Sequence, residues 1–306
     1  MSEVATDDLR AALEAVHVYV ATPFTDDLLG IRADDLAAHL ADLVDRGVRV
    51  LAVGGGTGES DALSPAEQER LVEIALDAVD DRALVVGTLP GNLGEAVPLA
   101  RRYEALGLRV ALGLAPLVRG RPVITPDALG GYYTELTAQC SLPVMPYNNQ
   151  AWPLEILLRL ADVPGLVAIK DACLDPHPML RAIRRLGDRF VWIGNKKHDP
   201  PVTHLRYRMG MQAFTSGLAN AFPEPELALH EACRRGDDDE AIRLQEQCAP
   251  FAELRTAADD AAAVKVAMDA VGYRGGRVRP PRLDVGPDER AEILRAVQAM
   301  RETLSL

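Results

Sequence analysis

The amino-acid sequence predicts an α/β protein, a (β/α)8 barrel with a C-terminal helical extension, and three observations indicate this class. Short β-like runs alternate with helical patterns through the first two thirds of the 306-residue chain. Such alternation is typical of parallel strands joined by right-handed crossovers. Eight strand–helix units follow one another over about 220 residues with no second pattern between them, which fits a closed barrel better than an open doubly wound sheet.

The eight predicted strands are mostly apolar runs. In chain order they are VHVYVATPF (16–24), VRVLAVGGG (48–56), ALVVGTLPG (83–91), RVALGLAP (109–116), LPVMPYN (142–148), LVAIKDA (166–172), FVWIGN (190–195) and QAFTSGLAN (212–220). Each is followed by a helical pattern. The clearest helix start is at 64–67, where Ser64 is the predicted N-cap, Pro65 takes the first helical position and Glu67 completes a capping box.

The sequence divides into a predicted catalytic barrel at 1–223 and a helical extension at 224–306 that packs on the barrel in the same structural unit. Helices are expected at 225–235, 237–257, 259–271 and from 288 onward. An exposed set of helices on a barrel enzyme often serves a subunit interface, so we expect a homo-oligomer.

Composition and charge exclude several classes of protein. Hydrophobic residues make up 48% of the chain, enough for a large core, and the net charge of −12 argues against nucleic-acid binding. The four cysteines form no CxxC pair and the six histidines show no ligand spacing, so neither a disulfide framework nor a metal site is predicted. The acidic N-terminus does not resemble a signal peptide, and no apolar run is long enough to span a membrane. We therefore expect a cytoplasmic protein.

Lys170 raises a question, because it ends the apolar run Leu166–Ile169. Burial of an ammonium group is costly. In one interpretation Lys170 has left the core and is solvated or paired with Asp171. In the other it is held in an apolar site, so that its amine is partly neutral and nucleophilic.

The ends of the predicted strands carry the polar residues, which is where barrel enzymes place their active sites. The fifth strand ends in Tyr147-Asn148 and the sixth in Lys170-Asp171. Lys170 and Tyr147 therefore lie on neighbouring strands and can face one cavity. Tyr147 alone would be read as a half-buried aromatic residue, but the combination favours a site.

The glycine run that ends the second strand is a further candidate. It is not a dinucleotide fingerprint, because Glu59 occupies the position that would complete GxGxxG, and it has no Walker lysine. Its simplest interpretation is a tight strand-to-helix turn. The functional alternative is a nest of backbone N–H groups at Gly55, Gly56 and Thr57 that binds a carboxylate.

GGTGE at 55–59, Tyr147-Asn148 and the AIKD segment at 168–171 together resemble the dihydrodipicolinate synthase and N-acetylneuraminate lyase family. This is a family of (β/α)8 enzymes that form a Schiff base with lysine, and the resemblance extends to Arg279-Pro280-Pro281. It implies that Lys170 is the imine-forming nucleophile, with Tyr147 and Thr57 as its catalytic partners. No cofactor or metal is implied.

Departures from the family pattern narrow the range of activities expected of this chain. The synthase carries a relay tyrosine after its fourth strand, where this chain has Leu117-Val118, and an arginine where this chain has Trp152. The chain is more similar to 5-dehydro-4-deoxyglucarate dehydratase in its glycine before Thr57 and its Thr215-Ser216 segment. The chain differs from that enzyme at Glu59-Ser60-Asp61 and in the 195–198 loop. These are positions where the distal part of a substrate would be bound.

The resemblance implies a mechanism. Lys170 would attack the ketone of a 2-oxo acid whose carboxylate rests on Gly56 and Thr57. Tyr147 would shuttle protons with its pKa lowered by the cationic lysine, and Thr57 would hydrogen-bond the phenol. Ser216, Asn220 and Lys196 would contact the distal part of the substrate, although Lys196 and Lys197 are equally well explained as solvated.

Three functions follow in order of preference. The first is a dehydratase that removes water and carbon dioxide, and the second is a pyruvate-dependent class I aldolase. The third is a protein that binds a 2-oxo acid without catalysis, because a fold can outlive its chemistry. The family suggests a tetramer or a dimer, with neither a nucleic-acid nor a membrane partner.

Overall fold

A computed structural model describes residues 3–195 and 201–304 of the chain. Its strands are β1 (Val16–Tyr19), β2 (Val50–Ala52), β3 (Leu84–Leu89), β4 (Val110–Leu114), β5 (Leu117–Val118), β6 (Arg121–Pro122), β7 (Val144–Asn148), β8 (Ala168–Asp171), β9 (Val191–Asn195) and β10 (Ala213–Ser216). Eight of them close into a parallel barrel in the order β1-β2-β3-β4-β7-β8-β9-β10. The predicted (β/α)8 barrel is confirmed, and the short antiparallel hairpin β5–β6 outside it was not predicted.

Helices follow the strands as the sequence pattern predicts. The described helices are α1 (Glu3–Leu13), α2 (Ala33–Asp45), α3 (Pro65–Val79), α4 (Leu93–Ala105), α5 (Pro126–Ala138), α6 (Leu154–Leu160), α7 (His177–Leu186), α8 (Thr203–Arg208), α9 (Pro223–Arg235), α10 (Asp238–Ala257), α11 (Asp260–Ala270) and α12 (Pro287–Leu304). The capping box that begins α3 is confirmed, since the Ser64 hydroxyl accepts from the Glu67 amide and the Glu67 carboxylate accepts from the Ser64 amide.

Two hydrophobic layers hold the barrel together, because side chains alternate between its inside and its outside. Ile169 packs in the outer layer between strands and helices, whereas Ala168 and Met145 belong to the interior cluster. Leu9 and Leu13 of α1 join the interior cluster beside the first residues of several strands, so α1 closes the N-terminal end of the barrel. The opposite end is where the polar strand termini lie.

The helices α9–α12 form the predicted extension, and α9 begins at Pro223. The extension shares a hydrophobic cluster with the end of the barrel chain, where Phe222 packs with Phe251 of α10 and Val266 of α11. Arg46 of α2 also forms an ion pair with Glu224, with Nε 2.7 Å from Oε1. Among the residues that the structure describes, no helix is both long and apolar enough to cross a membrane.

Candidate active site

Lys170 points into the barrel from β8 and is only 5% exposed. The next residue, Asp171, binds the Asn148 side-chain amide and the Cys173 backbone amide through its carboxylate. In the described part of the chain, no carboxylate lies within salt-bridge distance of the Lys170 amine. The solvated and the Asp171-paired interpretations of this lysine are therefore both wrong, and the side chain is buried, as the other interpretation requires.

The amine of Lys170 contacts the faces of two tyrosine rings. Its Nζ lies 4.0 Å from the ring centroid of Tyr147, whose Cα is the β7 partner of Lys170 in the parallel ladder. It lies 3.7 Å from the ring centroid of Tyr19, the last residue of β1. Tyr147 and Lys170 therefore meet as the sequence predicted, and Tyr19 is an additional neighbour that the sequence did not indicate.

Burial favours the uncharged form of the Lys170 amine. Desolvation lowers the pKa of Lys170 from its ordinary value to about 7, and the negative charge of Asp260 opposes that shift. At pH 8 most of the amine is therefore uncharged, with its lone pair available for attack on a carbonyl carbon.

The pKa of Tyr147 does not follow the sequence-based expectation. Burial, together with smaller contributions from the charges of Cys173, Asp260 and Asp171, raises this pKa to about 12. The expected lowering of this pKa by a cationic lysine was wrong, because burial of the phenol is the largest effect and acts in the opposite direction. Tyr147 is consequently a neutral phenol near pH 8, so it donates a proton more readily than it removes one.

The glycine run after β2 forms a compact loop with unused amide groups. The carbonyls of Gly55 and Gly56 accept hydrogen bonds from Ser60 and Glu59. In the described part of the structure, the amides of Gly56 and Thr57 donate to no protein acceptor. Gly54 has φ +63°, a left-handed value that favours glycine. The loop thus has both the tight turn of the simpler interpretation and the free N–H groups that a nest requires.

Glu59, which follows this loop, has a structural role, and its carboxylate is not available to bind a substrate. Its side chain is fully buried, with Oε1 2.5 Å from the Lys265 amine of α11 and Oε2 2.8 Å from the Arg279 amide. Asp61 likewise pairs with Arg282. The expectation that Glu59-Ser60-Asp61 lies where a substrate tail is read was wrong for these two acids, because they tie the loop to the extension.

Thr57 binds a group that the sequence did not suggest. Its hydroxyl donates to Asp260 Oδ2 at 3.1 Å, at the start of α11, and the expected hydrogen bond to the Tyr147 phenol was wrong. Arg255 of α10 pairs with the other oxygen of Asp260 and is only 12% exposed. Its Nη1 is buried without a hydrogen-bond acceptor in the described residues, beside Gly217 at the end of β10. The extension therefore contributes a carboxylate and a guanidinium to the barrel mouth.

The remaining predicted residues have mixed placements. Ser216, at the end of β10, accepts a hydrogen bond from the Ala219 amide in the short 3-10 turn that follows. Asn220 is fully buried, donates to the carbonyls of Tyr19 and Gly217 and accepts from the Ala21 amide. The polar atoms of Asn220 that would contact a substrate are thus already occupied. Lys196 and Lys197 lie outside the described residues.

Sequence reasoning missed three residues near Lys170, which are Tyr19, Arg255 and Asp260. Tyr19 sits within the apolar run of the first strand, where period-2 alternation marks it only as one of the inward positions. Arg255 and Asp260 are more than eighty residues from the lysine, on helices whose packing no local pattern specifies. The one signal was the position of Tyr19 at the end of β1, where its Cα pairs with Ala52 of β2, two residues before the glycine run.

Comparison with known proteins gives one family and two kinds of named relative. The profile described as the dihydrodipicolinate synthetase family matches residues 12–300. A probable 5-dehydro-4-deoxyglucarate dehydratase from Methylobacterium radiotolerans is 32% identical over 283 residues, covering 89% of this chain and 90% of that protein. The 4-hydroxy-tetrahydrodipicolinate synthase 1 from Streptomyces coelicolor is also 32% identical, over 301 residues and 95% of each chain.

Solved structures agree with this comparison at the level of the fold. The crystal structure of dihydrodipicolinate synthase from Oceanobacillus iheyensis superposes with a TM-score of 0.88 at 24% identity, covering 97% of this chain and 99% of that one. The barrel and the extension are thus arranged as in that enzyme.

Proposed function

Because the chain belongs to the dihydrodipicolinate synthetase family and is a lyase, we propose that it forms a Schiff base between Lys170 and a 2-oxo acid. The observation that carries this proposal is the buried Lys170 amine, with a pKa of about 7 and no carboxylate partner among the described residues. A lysine that served only the fold would be paired, as buried charges usually are.

The first step joins the amine to the substrate ketone. The neutral Lys170 nitrogen attacks the carbonyl carbon, the carbonyl oxygen gains a proton, and the nitrogen loses one. A second proton on that oxygen lets it leave as water, and the nitrogen becomes an iminium. Tyr147 is the proposed donor, because its ring lies beside the amine and its raised pKa keeps the phenol protonated.

The carboxylate of the 2-oxo acid is assigned to the loop after β2. The amides of Gly56 and Thr57 have no protein acceptor within the described ranges, and Gly56 is exposed. N–H groups of two successive residues without a protein acceptor are able to bind an anion, and binding it there would fix the ketone for attack. Ser216 and Lys196 remain candidates for the distal part of the substrate.

The activity that these residues support best is that of a 5-dehydro-4-deoxyglucarate dehydratase. The iminium acidifies the neighbouring carbon, which loses a proton to give an enamine, and the enamine expels the hydroxyl of the next carbon. The hydroxyl takes up a proton and leaves as water, which gives an iminium conjugated with a new carbon–carbon double bond. The bond to a carboxylate on the carbon next to that double bond then breaks to release carbon dioxide, and its electron pair passes through the double bond to the iminium nitrogen. A substrate with a second carboxylate would find the buried Nη1 of Arg255 at the barrel mouth.

Two features count against the synthase activity of the Streptomyces coelicolor relative. Leu117 and Val118 lie on an exposed hairpin at the place where the synthase carries its relay tyrosine, and their side chains have no proton to transfer. Trp152 carries no charge and is fully buried, so it does not replace the arginine that would bind the carboxylate of an aldehyde substrate. A class I aldolase that uses another aldehyde is the second candidate, because it begins from the same imine.

Borohydride trapping with intact-mass spectrometry tests the proposal. The chain contains four lysines, at 170, 196, 197 and 265, so peptide mapping identifies the modified one directly. We expect a reduced adduct on Lys170 with pyruvate and with 5-dehydro-4-deoxyglucarate, and none in Lys170→Met. Circular dichroism of both proteins serves as the folding control.

The mass of the adduct separates the two activities. An adduct that has lost water or carbon dioxide from the longer acid would support the dehydratase, and a pyruvate adduct from the same acid would identify an aldolase. The absence of any adduct from folded protein with either acid would refute the Schiff-base proposal.

A further inference from the structure

The Lys170 amine contacts the faces of aromatic rings on two strands, β7 and β1, and Tyr147 on β7 accounts for only one of them. Tyr19 is the nearer ring, with its centroid 3.7 Å from Nζ against 4.0 Å for Tyr147. It lies on β1, across the barrel interior from the strand that carries the lysine, and it is 3% exposed. A fully buried ring so close to the nucleophilic atom calls for an explanation beyond packing.

Several contacts fix the Tyr19 ring in place. The Tyr19 carbonyl accepts a hydrogen bond from the Asn220 side chain, which anchors the backbone at this position. A Cβ atom at Gly55 would lie 2.5 Å from the Tyr19 ring, so glycine is required there to let the ring stand against the loop. The ring therefore cannot turn away without moving β1 or the loop after β2.

The phenol oxygen of Tyr19 does not explain this placement. It is buried and has no hydrogen-bond partner among the described residues. Buried hydroxyls usually have partners, because leaving one unpaired loses its hydration without return. Tyr103, another buried tyrosine, illustrates the usual case, since its hydroxyl donates to the Thr88 carbonyl at 3.0 Å.

The face of an aromatic ring attracts cations because its quadrupole is negative there, and the attraction is stronger when water is excluded. A neutral amine gains little from such a face. A protonated imine carries a full positive charge on the nitrogen, so it gains the attraction as long as it keeps its N–H proton. A ring that faces Nζ thus favours the intermediate over the resting enzyme, which is the condition for an interaction to accelerate a reaction.

We propose that the ring of Tyr19 stabilises the cationic imine formed on Lys170, which makes Tyr19 a catalytic residue together with Tyr147. The inference rests on the proposed Schiff-base function. The step that Tyr19 assists is the conversion of the neutral carbinolamine, plus one proton, into the iminium and one water molecule. Tyr19 exchanges no proton in that step, because it acts through its ring and not through its hydroxyl.

The test compares side chains at position 19 that differ in the charge distribution of the ring but not in its shape. Tyr19→Phe removes the hydroxyl and keeps the ring, and phenylalanines with increasing fluorination, placed at position 19, weaken the negative face in steps. Tyr19→Leu removes the ring altogether. Tyr103→Leu is the matched control, because it removes an equally buried ring that does not contact Lys170.

The measurement is the fraction of protein trapped with pyruvate by cyanoborohydride as pyruvate is varied at pH 9, where the Lys170 amine is mainly neutral. Intact-mass spectrometry gives the fraction, and its pyruvate dependence gives an apparent dissociation constant of the imine. We expect Tyr19→Phe to lie within about threefold of the parent, and Tyr19→Leu to bind about tenfold more weakly or worse. The fluorinated series should weaken the imine in order of fluorine content.

The outcomes separate the two proposals. Trapping in the parent that is unchanged by Tyr19→Leu and by the fluorinated series would overturn the role of Tyr19 and leave the Schiff base standing. A similar loss in Tyr103→Leu would also overturn it, because the effect would then reflect general destabilisation. No trapping in the folded parent would overturn both proposals. If Tyr19→Leu does not fold, the fluorinated series alone decides, since those side chains retain the packing.

Discussion

Lys170 in the barrel interior and Lys265 in helix α11 of the extension are both almost completely buried. Lys265 has its charge balanced, with Nζ 2.5 Å from a Glu59 oxygen and 2.7 Å from the Arg277 carbonyl. Lys170 has two aromatic faces and, within the described residues, no acceptor. Burial lowers the pKa of both amines, but the Glu59 charge works against that lowering at Lys265.

The difference shows how one residue type serves two purposes in one protein. A paired ammonium holds two distant segments together and has no reactive lone pair to offer. An unpaired amine weakens the fold but supplies a nucleophile. The same substitution at the two positions should therefore act in opposite directions.

Lys265→Met should have the largest effect on stability, because it removes the partner of the buried Glu59 carboxylate. Glu59 would then be a buried charge without a cation, and we expect the free energy of unfolding to fall by about 3–5 kcal/mol. Urea denaturation at pH 7.5 measures this change. Adding Glu59→Gln to Lys265→Met removes the stranded charge and should recover part of the loss. Equal stability of Lys265→Met and the parent would contradict the structural role of the pair.

Lys170→Met should stabilise the protein. The unfolded chain keeps Lys170 protonated up to its ordinary pKa, while the folded state releases that proton near pH 7. Folding therefore carries a cost that is largest below pH 7 and disappears as the pH approaches about 10.5. We expect the free energy of unfolding to rise by roughly 3 kcal/mol at pH 8.

Urea denaturation of Lys170→Met and the parent at pH 6, 8 and 10 checks both the sign and the trend. A gain that shrinks as the pH rises supports the buried, unpaired amine. A loss of stability at all three values would mean that Lys170 is paired after all.

Asp260→Asn should have the smallest effect of the three substitutions, a shift in the pH dependence of trapping at Lys170. Asp260 is the carboxylate whose charge raises the pKa of Lys170, although it does not form an ion pair with it. Without that charge, the rise of pyruvate trapping with pH should move to lower pH. The control is Asp288→Asn, at an exposed position in α12, which should leave the profile in place. A profile that Asp260→Asn does not move, or moves upward, would contradict the electrostatic contact.

Much of the fold was predictable because it depends on patterns among residues that are close together in the sequence. Apolar runs, the Ser64 capping box and the strand-end positions of Tyr147 and Lys170 each depend on residues close together in sequence. The parallel barrel then follows from the repeated alternation, and it brings the two side chains onto neighbouring strands.

The parts that failed depend on contacts between distant segments. Glu59 was read as a residue at a substrate tail, because nothing near it in sequence indicates the lysine 206 positions later that neutralises it. Thr57 was expected to bind Tyr147, whereas Asp260 from the extension accepts its hydrogen bond. The pKa of Tyr147 was given the wrong sign, because the depth of burial that dominates it is a property of the assembled barrel.

The contacts of Glu59 also have a consequence for the synthesis of the chain. Its two oxygens are satisfied by the Lys265 amine and the Arg279 amide, 206 and 220 residues further along. At ordinary translation rates the loop after β2 waits roughly ten to forty seconds on the ribosome before those partners emerge. Throughout that interval the glutamate that ends the loop has no cation. The loop after β2 therefore acquires its Glu59 contacts only after residues 265 and 279 have been made.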